Sequence, residues 1–243
     1  DFGADVIKVE APDGDPARRS GPFPHDRPDH EASAAFAFFN RNKRGVTLDI
    51  ATAAGRELLE PLAASADLVL SGLSLAELAA AGITQESLTA ARPGAVLASL
   101  TPFGESGPYA GFQATDLVAD SIAGPMSVNG SPGRAPLTKP FNVIAAQVGN
   151  AFASAAMAAV FASSRGAPGQ TVEVSATDVL MTSFDRRAIC HMVYQLTGEI
   201  VSRPFGGSAA GVLPRGRNRC KDGWVEIATL PVWVPRMLAT LGD

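Results

Sequence analysis

Short apolar runs alternate with amphipathic stretches along the first hundred residues. Asp5-Val6-Ile7-Lys8-Val9-Glu10 is rich in β-branched residues and is closed by Pro12 and Gly14, the punctuation that follows a strand. Residues 11 to 35 read as a loop, and Val46-Thr47-Leu48 reads as the next strand. Thr52 opens a helix that places Leu58, Leu59 and Leu62 on one face and ends near Ala64. A strand over Asp67 to Leu70 follows. Ser74 with Glu77 three residues later is a capping box, predicting a helix through Ala81 that stops at Gly82. Thr84 caps another helix, Pro93-Gly94 breaks it, and Ala95 to Leu100 is an apolar run of the kind buried in a parallel sheet. Strand and helix alternate throughout, which predicts an α/β fold with a Rossmann-like open parallel sheet.

The second half is patterned differently. Thr101 to Tyr109 is too rich in Gly and Pro for a strand or helix and reads as a surface loop beyond a strand's carboxyl end, the edge where open α/β sheets bind ligands. Asp116 to Ala123 and Val143 to Ser164 read as helices, the latter faced with small residues. Gln170 to Ser175 alternates as a half-buried strand, and Asp178 to Leu196 is again helical. Gly206 to Gly211 reads as a loose linker before a β segment over Gly223 to Ile227. The expected organisation is a large domain over 1–190, its N-terminal strand and helix absent, and over 191–243 a linker with the start of a smaller α+β domain. Trp224 and Trp233 are assigned to the core of that smaller domain.

Composition narrows the chemistry. A formal charge of -4 gives no basic field for a nucleic acid backbone. Two cysteines thirty residues apart and three histidines suggest neither a disulfide framework nor a metal site, and a reducing, cytoplasmic setting fits. The longest apolar stretch, Ala151 to Ala162, is too short to cross a bilayer, so no membrane partner is expected. His25, His30 and His191 have no partner at triad or metal spacing. No GxGxxG follows any strand, which argues against an ordinary dinucleotide binder.

Three elements occur in order: Gly3-Ala4-Asp5-Val6-Ile7-Lys8-Val9-Glu10, then Asn40-Arg41-Asn42-Lys43-Arg44 leading to Leu48-Asp49, then Gly166 to Gln170 with Val172 to Ser175. Together they resemble the class III coenzyme A transferases, the CaiB/BaiF family, over nearly the whole chain. The resemblance implies an interlocked dimer, and coenzyme A or acyl-coenzyme A as substrate without a metal. It also places Leu48, Asp49 and Ile50, Gly72 and Leu73, and Thr115 and Asp116 beside the coenzyme. The Asn40 to Arg44 run is by itself a solvated turn. Within the resemblance its cations attract the coenzyme's phosphates.

Coenzyme A transfer in this family needs a carboxylate nucleophile, because the acyl group passes through a mixed anhydride. Ungapped reading forward from Pro136 to Pro140, and backward from Gly169-Gln170, puts that position on Ala145. The family's racemase branch needs a histidine where Thr115 stands. The arginine that meets coenzyme A is replaced by Ala80, and Ser71-Gly72-Leu73-Ser74 replaces the family's usual turn. Gly206 to Gly211 resembles a mobile glycine loop as well as a plain linker. Asp116 is read as capping or orienting the helix it begins. The sequence therefore supports two readings. One is a catalytically degenerate copy that forms a homodimer or pairs with an active transferase copy, in a longer tandem polypeptide or as a separate chain. The other is an active transferase or acyl-coenzyme A racemase that takes its carboxylate from a partner copy or from segments beyond this chain.

Overall fold

The computed structural model describes residues 3–131, 133–182, 187–200, 216–227 and 233–241. It is a mixed α/β fold with parallel strand pairing, as the alternating pattern predicts. The chain divides into two compact units. The first comprises residues 1–99 and 156–172, and the second residues 100–155 and 173–243.

In the first unit, β1 (Ile7–Glu10) pairs in parallel with β2 (Arg44–Thr47), Ile7 opposite Arg44 and Glu10 opposite Thr47. Between them lies a helix the pattern did not predict, α1 (Ala34–Asn40). It is only seven residues long and has no amphipathic period, so it is set instead by Ser33, whose Oγ accepts from the Phe36 N–H. The same Oγ donates to the Ser20 carbonyl at 2.6 Å, so the cap also fastens the loop before it.

α2 (Ala53–Ala64) is capped by Thr52 as expected, but Leu58 is 61% exposed. Its inward face is the stripe Gly55, Leu59, Leu62 and Ala63, which the i, i+4, i+7, i+8 spacing selects. β3 (Leu68–Ser71) pairs in parallel with β4 (Val96–Thr101), and β4 is the middle strand of the order β3-β4-β5, with β5 spanning Thr171–Ser175. Val96 to Ser99 are buried, and Leu97 joins Ala63, Leu78, Ile83, Leu88 and Ala95 in one core. The capping boxes of α3 (Leu75–Ala80) and α4 (Gln85–Ala91) both form, at Ser74 with Glu77 and at Thr84 with Ser87. Gly169 is needed where it stands, because a Cβ there would lie 2.1 Å from the Ala95 carbonyl oxygen.

The second unit has its own core, in which Ala119 and Ala123 of α5 (Asp116–Ile122) and its end meet Ile144, Val148 and Leu180. The predicted helix over 178–196 is instead two, α7 (Ala176–Thr182) and α8 (Arg187–Thr197). α7 starts early because the Ser175 Oγ accepts from the Asp178 N–H. β6 (Gly216–Arg219) and β7 (Trp224–Ile227) form an antiparallel ribbon, and α9 (Val234–Leu241) follows. Trp224 and Trp233 are 67% and 51% exposed, so neither is a core residue, and a two-stranded ribbon has no buried face of its own to receive them. The expected glycine linker, Gly206 to Gly211, lies outside the described residues.

α6 (Val143–Ser164) has the predicted bounds. At 22 residues, with a mean hydropathy of 1.6 over an 18-residue window, it is long and apolar enough to cross a membrane by length and composition, which the apolar stretch within it is not. Its buried residues Ile144, Val148, Phe152, Ala156 and Ala159 recur at steps of four and three, the spacing of a helix that packs one stripe against protein.

Candidate functional site

The residues expected to face a coenzyme divide between the two units: Leu48, Asp49, Ile50, Gly72 and Leu73 in the first, Thr115, Asp116 and Ala145 in the second.

The Leu48 to Ile50 segment is a turn fixed from several sides. The Leu48 N–H donates to the Glu10 carbonyl at 2.9 Å, extending the β1-β2 pairing by one bond. The Asp49 carboxylate accepts from the Ala51 N–H, and the Asp49 carbonyl accepts from both the N–H and the hydroxyl of Thr52. Arg56 then donates to the Ile50 and Ala51 carbonyls. Gly55 completes the arrangement, since a Cβ there would lie 1.9 Å from the Asp49 carbonyl oxygen. The result is a pre-organised backbone edge with the Asp49 side chain exposed.

Gly72 and Leu73 follow the carboxyl end of β3. The Leu73 N–H donates to the Ser71 Oγ at 3.0 Å and its carbonyl accepts from the Ser99 hydroxyl at 2.9 Å, so the turn is held on both sides. Nothing lies within 4 Å of where a Gly72 Cβ would stand, and the position is open to solvent. Ala80 ends α3 and lines a groove of about 360 Å³ with Ala53, Arg56, Glu57, Glu60 and Gly82. One cation against two carboxylates makes this groove net negative, a poor seat for phosphates.

In the second unit Thr115 occupies the N-cap of α5 without a side-chain cap bond, and Asp116 is the first helical residue. Asp116 thus faces the positive end of the helix dipole and does not cap the helix itself. The glycine- and proline-rich loop after β4 carries Phe103 and Tyr109, whose ring centroids are 5.9 Å apart, and Tyr109 also meets Phe112 at 5.6 Å. Its base is fastened by Thr177, whose N–H and hydroxyl both reach the Pro102 carbonyl.

Ala145 is the third residue of α6 and is exposed, whereas its neighbour Ile144 is buried. The Ala145 methyl group carries no lone pair for acid–base or nucleophilic work, and the Thr115 hydroxyl is a weak base. A carboxylate that sequence reasoning gave no role is Asp120, fully buried on α5. Its Oδ2 accepts from the Thr138 hydroxyl, and its Oδ1 has no partner among the described residues. A lone Asp beside Ala119 gives no periodic signal that separates a buried position from a solvated one. Among the described residues no group of three or more His, Cys, Asp or Glu is arranged to hold a metal.

Residues 1–242 match the sequence model of CoA-transferase family III. The succinyl-CoA:(R)-benzylsuccinate CoA-transferase subunit BbsE of Thauera aromatica is 32% identical over 240 residues, covering 96% of this chain and 57% of that protein. The succinate–glutarate CoA-transferase of Agrobacterium fabrum is 36% identical over 231 residues, 94% of this chain and 57% of that protein. A solved structure of a CAIB/BAIF family protein from Brucella suis shares the fold with a TM-score of 0.82 at 32% identity, covering 94% of this chain and 59% of that one. The chain therefore spans less than two thirds of the length of these relatives. With the match running across nearly every residue, the chain belongs to CoA-transferase family III.

Proposed function

We propose that this chain is the catalytically silent member of a coenzyme A transferase assembly, pairing with a second copy that supplies the nucleophile. The observation that carries this reading is Ala145, an exposed methyl group in the first turn of α6 where the family's nucleophilic carboxylate is expected. Transfer from a thioester to an acid begins with carboxylate attack on the thioester carbonyl, giving a mixed anhydride and the coenzyme A thiolate. A methyl group cannot form that bond. Asp120 is no ready substitute, because it is fully buried and already accepts from Thr138.

The fixed turn at Leu48 to Ile50 supports retained contact with coenzyme A, whereas the net-negative groove at Ala80 supports weakened binding. Some relatives are themselves named as subunits of a transferase, which agrees with a chain that works beside another. An interlocked dimer with that active copy, in a cytoplasmic setting, completes the proposal. The test is to assay the purified full-length protein alone for coenzyme A transfer from succinyl-CoA to a panel of carboxylic acids. The expected result is no turnover, and transfer at an ordinary enzymatic rate would overturn the reading.

A further inference from the structure

Residues 11 to 32 run from the end of β1 towards the cap of α1 without contributing one buried residue. Phe23 is half-buried, and neither short 3-10 helix in the segment, Pro16–Arg19 or Pro24–Asp26, hides a side chain. Hydrophobic burial therefore does little to hold the segment in place. A segment with few buried apolar contacts is the kind that opens locally while the rest of a protein stays folded.

Polar contacts hold it instead, and several converge on one side chain. Arg18 donates through Nε and Nη2 to the two carboxylate oxygens of Glu10, at 2.7 and 3.0 Å, and its guanidinium stacks 3.9 Å from the Phe36 ring centroid of α1. Its Nη1 reaches both oxygens of Glu31, each at 3.2 Å, near the far end of the same segment. The Asp15 N–H adds a third bond to the Glu10 carboxylate at 2.9 Å, and the Asp15 carboxylate pairs with Lys8. The two partners of Arg18 differ in burial, the Glu10 side chain being 7% exposed and that of Glu31 83%. Water screens the second pair, so the first carries the attachment. Across the sheet Glu10 faces the uncharged Thr47. Arg18 and Lys8 are the cations acting on it, with Lys43 beside Lys8 and Glu31 sharing Arg18. The remaining fastening, from the Ser33 hydroxyl to the Ser20 and Ala17 carbonyls, carries no charge.

We infer that residues 13–31 form a strap latched by the Glu10–Arg18 pair, which acid opens while the rest of the first unit stays folded. Three hydrogen bonds from the strap end on one carboxylate. A proton on Glu10 removes the charge they depend on and leaves Arg18 with the exposed Glu31 as its only carboxylate partner. The latch is closed while Glu10 is ionised and opens as pH falls through its folded pKa. The Arg18 hydrogen bonds hold that value below the usual glutamate value, against burial. Opening uncovers the Glu10 carboxylate and a face of the Phe36 ring at the carboxyl end of β1, the edge where open α/β sheets take ligands. The Glu10 carbonyl at the same strand end receives the Leu48 N–H, so the strap is fastened beside the Leu48 to Ile50 turn.

Hydrogen exchange of the full-length protein, read by mass spectrometry of its peptides, tests this with Glu10→Gln and Glu31→Gln at one neutral pH. Amides of residues 16–31 should exchange several-fold faster in Glu10→Gln and at the original rate in Glu31→Gln, with α2 and α4 as protected as before in both. A second arm uses the unaltered protein, so it does not depend on how a variant folds. Taking it well below the ordinary glutamate value of about 4.3 should open residues 16–31 and leave α2 and α4 protected, once rates are corrected for the pH dependence of exchange itself. Equal exchange of the strap in the two variants, or a strap still protected in acid, would overturn the latch. Loss of protection in α2 and α4 together with the strap would overturn it too, because the pair would then hold the whole unit and not a separable segment.

Discussion

The hydroxyl of Thr138 donates to Asp120 Oδ2 across 2.9 Å, tying the segment that leads into α6 to the buried side of α5. Asp120 is 0% exposed, so it relies on this bond in place of water. Thr138→Val strands the carboxylate and is expected to cost about 1–3 kcal/mol, the penalty of an unpaired buried polar group. Thr138→Ser restores most of it. The double variant Thr138→Val with Asp120→Leu loses less than the sum of the two single changes, because no polar group is then left unpaired. Urea unfolding of the unaltered protein and these four variants, Asp120→Leu alone among them, checks this, and additive losses would show that the bond carries no weight.

Glu10 sets an acid-dependent part of the stability. Its carboxylate is held below the usual glutamate value mainly by the Arg18 hydrogen bonds, with the Asp15 N–H adding and burial opposing. Because the folded pKa is depressed, the unfolded chain binds the proton more tightly. The contribution is therefore complete above the unfolded value of about 4.3 and is lost as pH falls through the folded value. Glu10→Gln should lower stability at neutral pH and flatten its decline in acid. Parallel stability curves for the two proteins would contradict this.

Gly55 governs the turn proposed to meet the coenzyme. Gly55→Ala places a methyl group 1.9 Å from the Asp49 carbonyl oxygen and must displace Leu48 to Ile50. The expected cost is about 1–3 kcal/mol, typical of overpacking. Calorimetry with free coenzyme A should find weak binding to the unaltered protein and weaker binding to the variant. Submicromolar affinity in the unaltered protein would show that Gly72 and Ala80 have not degraded the pocket.

Those parts of the fold set by local chemistry were legible in the sequence. Thr52, Ser74 and Thr84 cap their helices as the residue types require, α6 has the predicted bounds, and β4 is shifted by one residue. What depends on tertiary packing was not. Leu58 belongs to the apolar period but is exposed, because the smaller Gly55 and Ala63 set the close approach. Trp224 and Trp233 are apolar yet lie outside any core, since burial needs a second layer that local sequence does not encode. The coenzyme-facing role proposed for the turn at Leu48 to Ile50 comes from family resemblance alone, whereas its rigidity comes from the side chains of Asp49, Thr52 and Arg56. The buried bond of Asp120 joins residues eighteen apart, beyond the reach of any periodic signal.

Ala145→Asp tests whether the nucleophile alone is missing. The position is exposed and lies in the first turn of α6, so a carboxylate fits without a clash and gains about 0.3–1 kcal/mol from the helix dipole. The variant should be at least as stable as the unaltered chain. It should still not transfer coenzyme A by itself, because a working site needs its supporting contacts and those at Gly72 and Ala80 are proposed to be altered. Full activity from this one change would place the whole defect at Ala145.

Trapping decides whether this chain carries a nucleophilic carboxylate of its own. The full-length protein is incubated with acyl-coenzyme A donors and then with borohydride or hydroxylamine, which intercept an acyl group held on a carboxylate. Mass mapping then shows which side chains were modified. No marked Asp or Glu is expected within residues 1–243. A marked carboxylate in this chain, Asp120 included, would contradict it and would locate the nucleophile.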